Sequence, residues 1–289
     1  MLVQQIITGL SVGGIYALMA VGYSLIYSLL NFTNFAHGLA VTAGAYIGFF
    51  VLSRMSNLFI ALIMGVIVGG LVSSLIETIA YRPMLNKNAK RIYLIIAGAG
   101  VSTAGENLII ILFTGRFKAY PNVSGLEPIK ILGATIGKVD IIMLIACIIT
   151  LILVEVLLQK TKVGLAIRGA AFDLDVTSIM GVNVKQLILF VFMLAGSLAG
   201  LSGYFLGMKY TAYPMLGQMT NKAFISAVLG GLGSIQGAVV GSFLLGISET
   251  LISAYISSSM RDIFSFSILI VVLIFRPNGI MGKNMEDKA

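Results

Sequence analysis

Few side chains in this 289-residue chain could do chemistry, and those few stand inside apolar surroundings. Asn31-Phe-Thr-Asn34-Phe-Ala-His37-Gly38 offers two amides and an imidazole beside a glycine. A helix broken there would leave backbone groups free for a solute; equally, Asn34 could cap the helix that follows. Glu106-Asn107 sits late in a second apolar run, and a carboxylate at that depth faces an aqueous path or pairs with a cation on a neighbour. Gly230-Gly231-Leu-Gly-Ser-Ile-Gln-Gly237 interrupts a third run and predicts a turn with exposed backbone. Metal and nucleophilic chemistry find little support. His37 is the single histidine, which excludes a multi-His site, and no Ser-His-Asp spacing accompanies it. Cys147 is the single cysteine, so no disulfide forms within the chain, and it reads as a small buried apolar residue. Without a Gly-x-x-x-x-Gly-Lys-Ser/Thr loop, ATP hydrolysis by that route is also excluded. Glu155 and Glu249 lie near span ends, where interfacial solvation is the simpler account.

The elements that position these groups follow from composition. Hydrophobic residues make up 58% of the chain and charged ones 10%, against about a quarter in soluble domains. Charge-free stretches cover 1–53, 55–76, 186–208 and 223–248. A run of about 18 apolar residues is long enough to cross a bilayer as a helix. The reading is therefore all-α: one polytopic transmembrane helical bundle over 1–289, of about 8–9 spans with discontinuous helices. Spans are expected at about 5–29, 36–53, 58–80, 92–113, 139–158, 187–207 and 263–276. The block 223–252 is expected to divide at its glycines into two crossings, giving nine. No positively charged segment precedes the first span and no small-residue cleavage site follows a short apolar core, so it reads as retained, not as a signal peptide.

Charge orients the bundle. Arg82, Lys87, Lys90 and Arg91 stand without an acid in 81–91, which marks that loop as cytoplasmic. Two spans later, loop 159–186 falls on the same side, and loop 114–138 falls outside despite four cations against Glu127. The net charge of +8 reports orientation in this context, not nucleic-acid binding. Glycines four apart (44/48, 65/69, 196/200, 203/207 and 233/237/241) predict close helix packing within the bundle, or a subunit contact. Within 159–186, Leu165, Phe172, Val176 and Ile179 form an apolar stripe among small residues. This predicts a short amphipathic helix for the lipid interface or for docking, with Arg168 and Asp173 setting its orientation through hydrogen bonds.

Taken together in order, several segments resemble the permease subunits of branched-chain amino-acid ABC importers (the LivH-like type) over essentially the whole length. They are Gly14-Ile-Tyr-Ala-Leu-Met-Ala-Val-Gly-Tyr-Ser-Leu-Ile-Tyr27, Asn34-Phe-Ala-His-Gly38, Ala80-Tyr-Arg-Pro83, Gly164 through Arg168 and Asp173 to Met180-Gly181-Val-Asn183, 227–238 and Phe275-Arg-Pro-Asn-Gly279. The resemblance implies an ABC importer permease fold in a prokaryotic inner membrane. It implies a second homologous permease (a hetero- or homodimer), two ATPase subunits that use ATP and Mg, and an extracytoplasmic solute-binding protein. This chain would itself bind no cofactor, metal or nucleic acid. It further implies that Gly164, Arg168, Asp173, Met180 and Gly181 belong to a loop that couples to an ATPase. Asn31, Asn34, His37, Glu106, Asn107, Gly230 and Gly231 are the candidates for the translocation path. Two departures bear on substrate: Leu39 stands where the family commonly has an acid, and Gly98, Gly100 and Gly105 crowd the fourth span. Permeases of similar sequence move urea, short amides or other amino acids, so these stand beside leucine, isoleucine and valine. An ion-coupled secondary transporter would share the broken helices but need no coupling loop. An intramembrane enzyme lacks paired acids.

Overall fold

A computed structural model describes residues 2–87, 89–121, 129–131 and 134–282. Helices α1 (Leu2–Leu30), α2 (His37–Met55) and α3 (Leu58–Ile76) open the chain. A π turn, Glu77–Tyr81, extends α3 into α4 (Arg82–Leu85), and α5 (Arg91–Phe113) follows. A small antiparallel hairpin, β1 (Ile129–Ile131) with β2 (Ala134–Ile136), adds to the all-α reading inside the 114–138 loop. Glu127 of that loop and Lys283 and Lys288 of the tail lie outside the described residues. Next come α6 (Lys138–Lys160), α7 (Lys162–Phe172), α8 (Leu174–Ile179) and α9 (Val184–Lys209). A 3-10 helix, Pro214–Met219, leads into α10 (Thr220–Gly230), α11 (Ile235–Tyr255) and α12 (Arg261–Phe275).

Eight helices among the described residues are long and apolar enough to span a membrane. The block 223–252 does divide at its glycine turn, but unequally. At 11 residues α10 is about 16 Å long, half of a bilayer core, and only the 21-residue α11 crosses by itself.

Helix ends obey local chemistry. Asn31 stops α1 in the left-handed region (φ 50°), which asparagine tolerates better than most residues. The side chains of Asn57, Thr161, Asp173, Asn183 and Ser234 accept the first free amides of α3, α7, α8, α9 and α11.

The chain forms two compact units, one of residues 25–121 and 153–220, the other of 1–24, 122–152 and 221–289. In the first, α2, α3 and α9 meet through glycine. Gly44 and Gly65 lie on the Gly200 backbone, Gly69 on Gly196, and Gly203 on the Val41 carbonyl. The Tyr204 hydroxyl donates to the Leu58 carbonyl (3.2 Å) and that of Tyr120 to the Ala45 carbonyl (2.6 Å). Burial pushes the Tyr120 hydroxyl well above the usual tyrosine range, so it remains a donor. In the second unit Gly9 and Gly13 of α1 lie on the α11 backbone at Ile247 and Phe243. Cys147 is buried there against Gly14, as expected of a small apolar residue. Intramolecular packing thus uses most of the paired glycines. Gly233 differs: its φ of 85° serves the turn before α11.

Candidate translocation and coupling sites

The break after α1 is built by Asn34 and Tyr81. Asn34 Oδ1 accepts from the Ala36 amide (3.0 Å) and from the Tyr81 hydroxyl (2.7 Å). The side chain therefore organises the start of α2, the capping role that the sequence left open. Tyr81 is the last residue of the π turn that follows α3. Within that turn Glu77, buried, receives Arg82 in a two-pronged pair, with Nε at 3.0 Å and Nη2 at 2.7 Å. Phe32 and Phe192 pack on the Tyr81 ring, at 5.1 and 5.5 Å between centroids. His37 is buried in the first turn of α2, whereas Asn31 is exposed.

The fourth span closes over this break. Gly98 meets the Tyr81 hydroxyl and the Phe35 and Ala36 amides. Gly105 meets the Leu39 side chain, and a Cβ there would come within 2.6 Å of Leu39 Cδ1. Leu39 and Gly105, two departures noticed separately, are halves of one contact. The neighbouring Glu106 lies close to Gln218 of the 3-10 helix. That helix is itself seated on α2: Gly217 lies on Gly38, and its amide donates to Thr42 Oγ1 (2.9 Å). Asn34, His37 and Glu106 thus belong to one neighbourhood, joined through Tyr81, Leu39 and Gln218. Asn107 does not join it; it is exposed and its amide donates to the Thr103 carbonyl of its own helix (2.8 Å).

Gly230 and Gly231 serve packing in the other unit. Gly230 lies on Gly237, and the 278–282 segment covers the turn, with Ile280 and Met281 amides donating to the Leu229 and Gly230 carbonyls (both 2.9 Å).

Gln218, Thr42 and Tyr81 carry no signal in sequence spacing, because each acts across more than 40 residues. Glu249 needs a correction. It is not solvated at an interface: its side chain is 2% exposed and paired with Lys222 at 2.9 Å. The readable signal was the apolar block 223–248, bracketed by Lys222 and Glu249. Folding it at its central glycines brings opposite charges together.

The segment 159–186 forms two helices, α7 and α8. Asp173 Oδ1 caps α8 by accepting from the Asp175 and Val176 amides (2.8 and 3.0 Å). Arg168 instead donates to Gln159 Oε1 at the end of α6 (3.2 Å), so the expected joint role of Arg168 and Asp173 resolves into two separate contacts. Gly164 is buried against the Leu157 and Leu158 carbonyls, which places it in the α6–α7 corner. Gly181, at φ 88° with open space around it, ends α8: the Val182 amide returns to the Thr177 carbonyl (3.3 Å) and the Gly181 amide to that of Ser178 (3.0 Å). The apolar stripe faces outward, with Phe172, Ile179 and Met180 exposed by 76, 83 and 78%.

A broken first pair of helices, a half-length helix and an exposed helical pair between spans make this a polytopic membrane bundle. The family described as "Branched-chain amino acid transport system / permease component" matches residues 5–273, and the chain belongs to it. Relatives include the high-affinity branched-chain amino acid transport system permease proteins LivH of Escherichia coli K12 and BraD of Pseudomonas aeruginosa. Each is 32% identical and aligned over 99% of this chain and 97% of its own length. The solved structure of PsaBC from Streptococcus pneumoniae in complex with Fab shares the fold, with a TM-score of 0.51 over 99% of this chain and 94% of that one at 14% identity. The chain is thus a membrane-spanning permease subunit of the ABC importer type, which sets aside the ion-coupled alternative and the enzyme reading.

Proposed function

We propose that this permease forms half of the path for leucine, isoleucine and valine across a prokaryotic inner membrane, paired with a second homologous permease. A binding protein outside delivers the solute, and two ATPase subunits inside hydrolyse ATP with Mg; this chain holds no cofactor. The observation that carries the reading is the outward apolar face of α7 and α8, with Phe172, Val176, Ile179 and Met180 exposed beside a rigidly capped turn. In water such a face calls for a partner. Loops 81–91 and 159–186 are cytoplasmic in this reading, and solute passes the Asn34–His37–Glu106 neighbourhood.

Purification of the tagged chain with its membrane tests the assembly: an ATPase subunit should co-purify. Reconstituted with its binding protein, the complex should take up leucine on addition of ATP and Mg. Absence of any co-purified ATPase would overturn the importer assembly. Uptake of urea in place of leucine would keep the assembly and replace the substrate.

A further inference from the structure

A single cation on the short helix α10 is shared by two carboxylates that differ sharply in burial. Lys222 Nζ lies 2.9 Å from Glu249 Oε1 on α11 and 2.8 Å from Asp262 Oδ1 on α12. The side chains are exposed by 14% for Lys222, 2% for Glu249 and 68% for Asp262. Glu249 is held independently of the lysine. Tyr16 of α1 donates to its Oε2 (3.0 Å), and Ser265 of α12 donates to its Oε1 (2.7 Å). One carboxylate is therefore a fixed post and the other a loose one, with a long flexible ammonium between them.

The opposite end of α10 is of another kind. There Gly230 lies on Gly237 and Gly241 on the Ser226 carbonyl, backbone against backbone. Such a seam brings the two backbones close together with no large side chain between them. A buried ion pair adds little stability over apolar residues of the same volume, whereas it does hold register. Two acceptors on two helices keep the ammonium compensated over a range of α10 positions.

We propose that Lys222 is a positioning residue of the transport cycle: a swivel that keeps α10 charge-paired, through Glu249 or Asp262, while the helix shifts along its glycine seam. The inference rests on the permease reading above, since it requires α10 to move during turnover. Lys222 acts through the placement of α10.

Four variants test it in the reconstituted complex, with leucine as the probe and thermal stability measured beside uptake. Lys222→Met alone leaves Glu249 buried without its cation and should lower the melting temperature and the protein level. Lys222→Met/Glu249→Gln removes both charges and should restore the level, while maximal uptake stays down about tenfold at unchanged KM. Asp262→Asn should leave the melting temperature near that of the wild type, because its pair is exposed, yet slow uptake several-fold. Lys222→Arg, which reaches both carboxylates, should retain uptake. Normal uptake by both the neutral double variant and Asp262→Asn would overturn the proposal and make the cluster purely structural. Spin labels at Asn221→Cys and Leu244→Cys give a readout free of the substrate assignment. Their separation should change between the nucleotide-free and ATP-bound complex in the wild type, and should be broadly distributed in both states in the double variant, where nothing holds α10 in register. An unchanged wild-type separation overturns the swivel. Missing leucine uptake with a changing separation instead places the failure in the substrate reading.

Discussion

Leu39 and Gly105 carry the most specific lesson at the scale of single residues. A larger residue at 105 would be driven into Leu39, because a Cβ there falls 2.6 Å from Leu39 Cδ1. Gly105→Ala meets only the flexible end of Leu39 and gains helix propensity, so it should change stability by less than about 1 kcal/mol, whereas Gly105→Leu should cost about 1–3 kcal/mol through overpacking, and adding Leu39→Ala should recover most of that loss. Thermal melting in detergent measures both, and strictly additive losses would refute the contact. Tyr81 makes a second prediction. Tyr81→Phe removes one of the two donors to Asn34 Oδ1 while keeping the ring between Phe32 and Phe192. The expected cost is about 1 kcal/mol, with lower leucine uptake from a looser α2 start. Uptake unchanged at equal protein level would show that the bond organises nothing the path needs.

The element on which the proposed coupling rests is the α7–α8 pair. It is stiffened by capping at both ends of α8, through Asp173 and Gly181, and presents large apolar side chains outward. Ile179→Glu should leave the fold intact, since the side chain is exposed, and reduce ATPase co-purification about tenfold by placing a charge in the interface. Retention of the ATPase by this variant would move docking elsewhere. Gly181 is a poorer probe of docking than its position suggests. Any Cβ at φ 88° is strained, by about 1–2 kcal/mol. Gly181→Ala should therefore raise hydrogen exchange in 174–182 even in the isolated permease, before any partner is added.

At the scale of the whole molecule, orientation is the open quantity with the cleanest experiment. Cys147 is the only cysteine and is buried, so engineered cysteines label without background. Lys87→Cys and Phe172→Cys should resist impermeant maleimide in intact cells and react once the membrane is permeabilised. Reaction of either from outside would invert the bundle and remove α7–α8 from reach of an ATPase. The charge rule supports the cytoplasmic side because the four cations of 81–91 have no acid beside them.

What the sequence alone determined follows from interactions that are local or collective. Long apolar runs must be helices in lipid, since only a helix satisfies its own backbone there, and so the spans were legible to within a few residues. The glycine turn that splits α10 from α11 was equally readable, whereas the caps Asn57, Asp173 and Asn183, though they act within three residues, were first shown by the structure. The ordered motifs of the family carried the transport function. Only the tertiary structure decided which polar groups meet. Tyr81 on Asn34, Gln218 on Glu106 and Lys222 on Glu249 join residues 47, 112 and 27 positions apart, where no periodicity reaches. Tertiary packing also decided that Asn107 points away, that Gly230 is consumed by Gly237, and that Leu39 is answered by Gly105. Burial follows from the sum of all helix contacts, and in a membrane it is burial that separates a solvated carboxylate from one that must be paired.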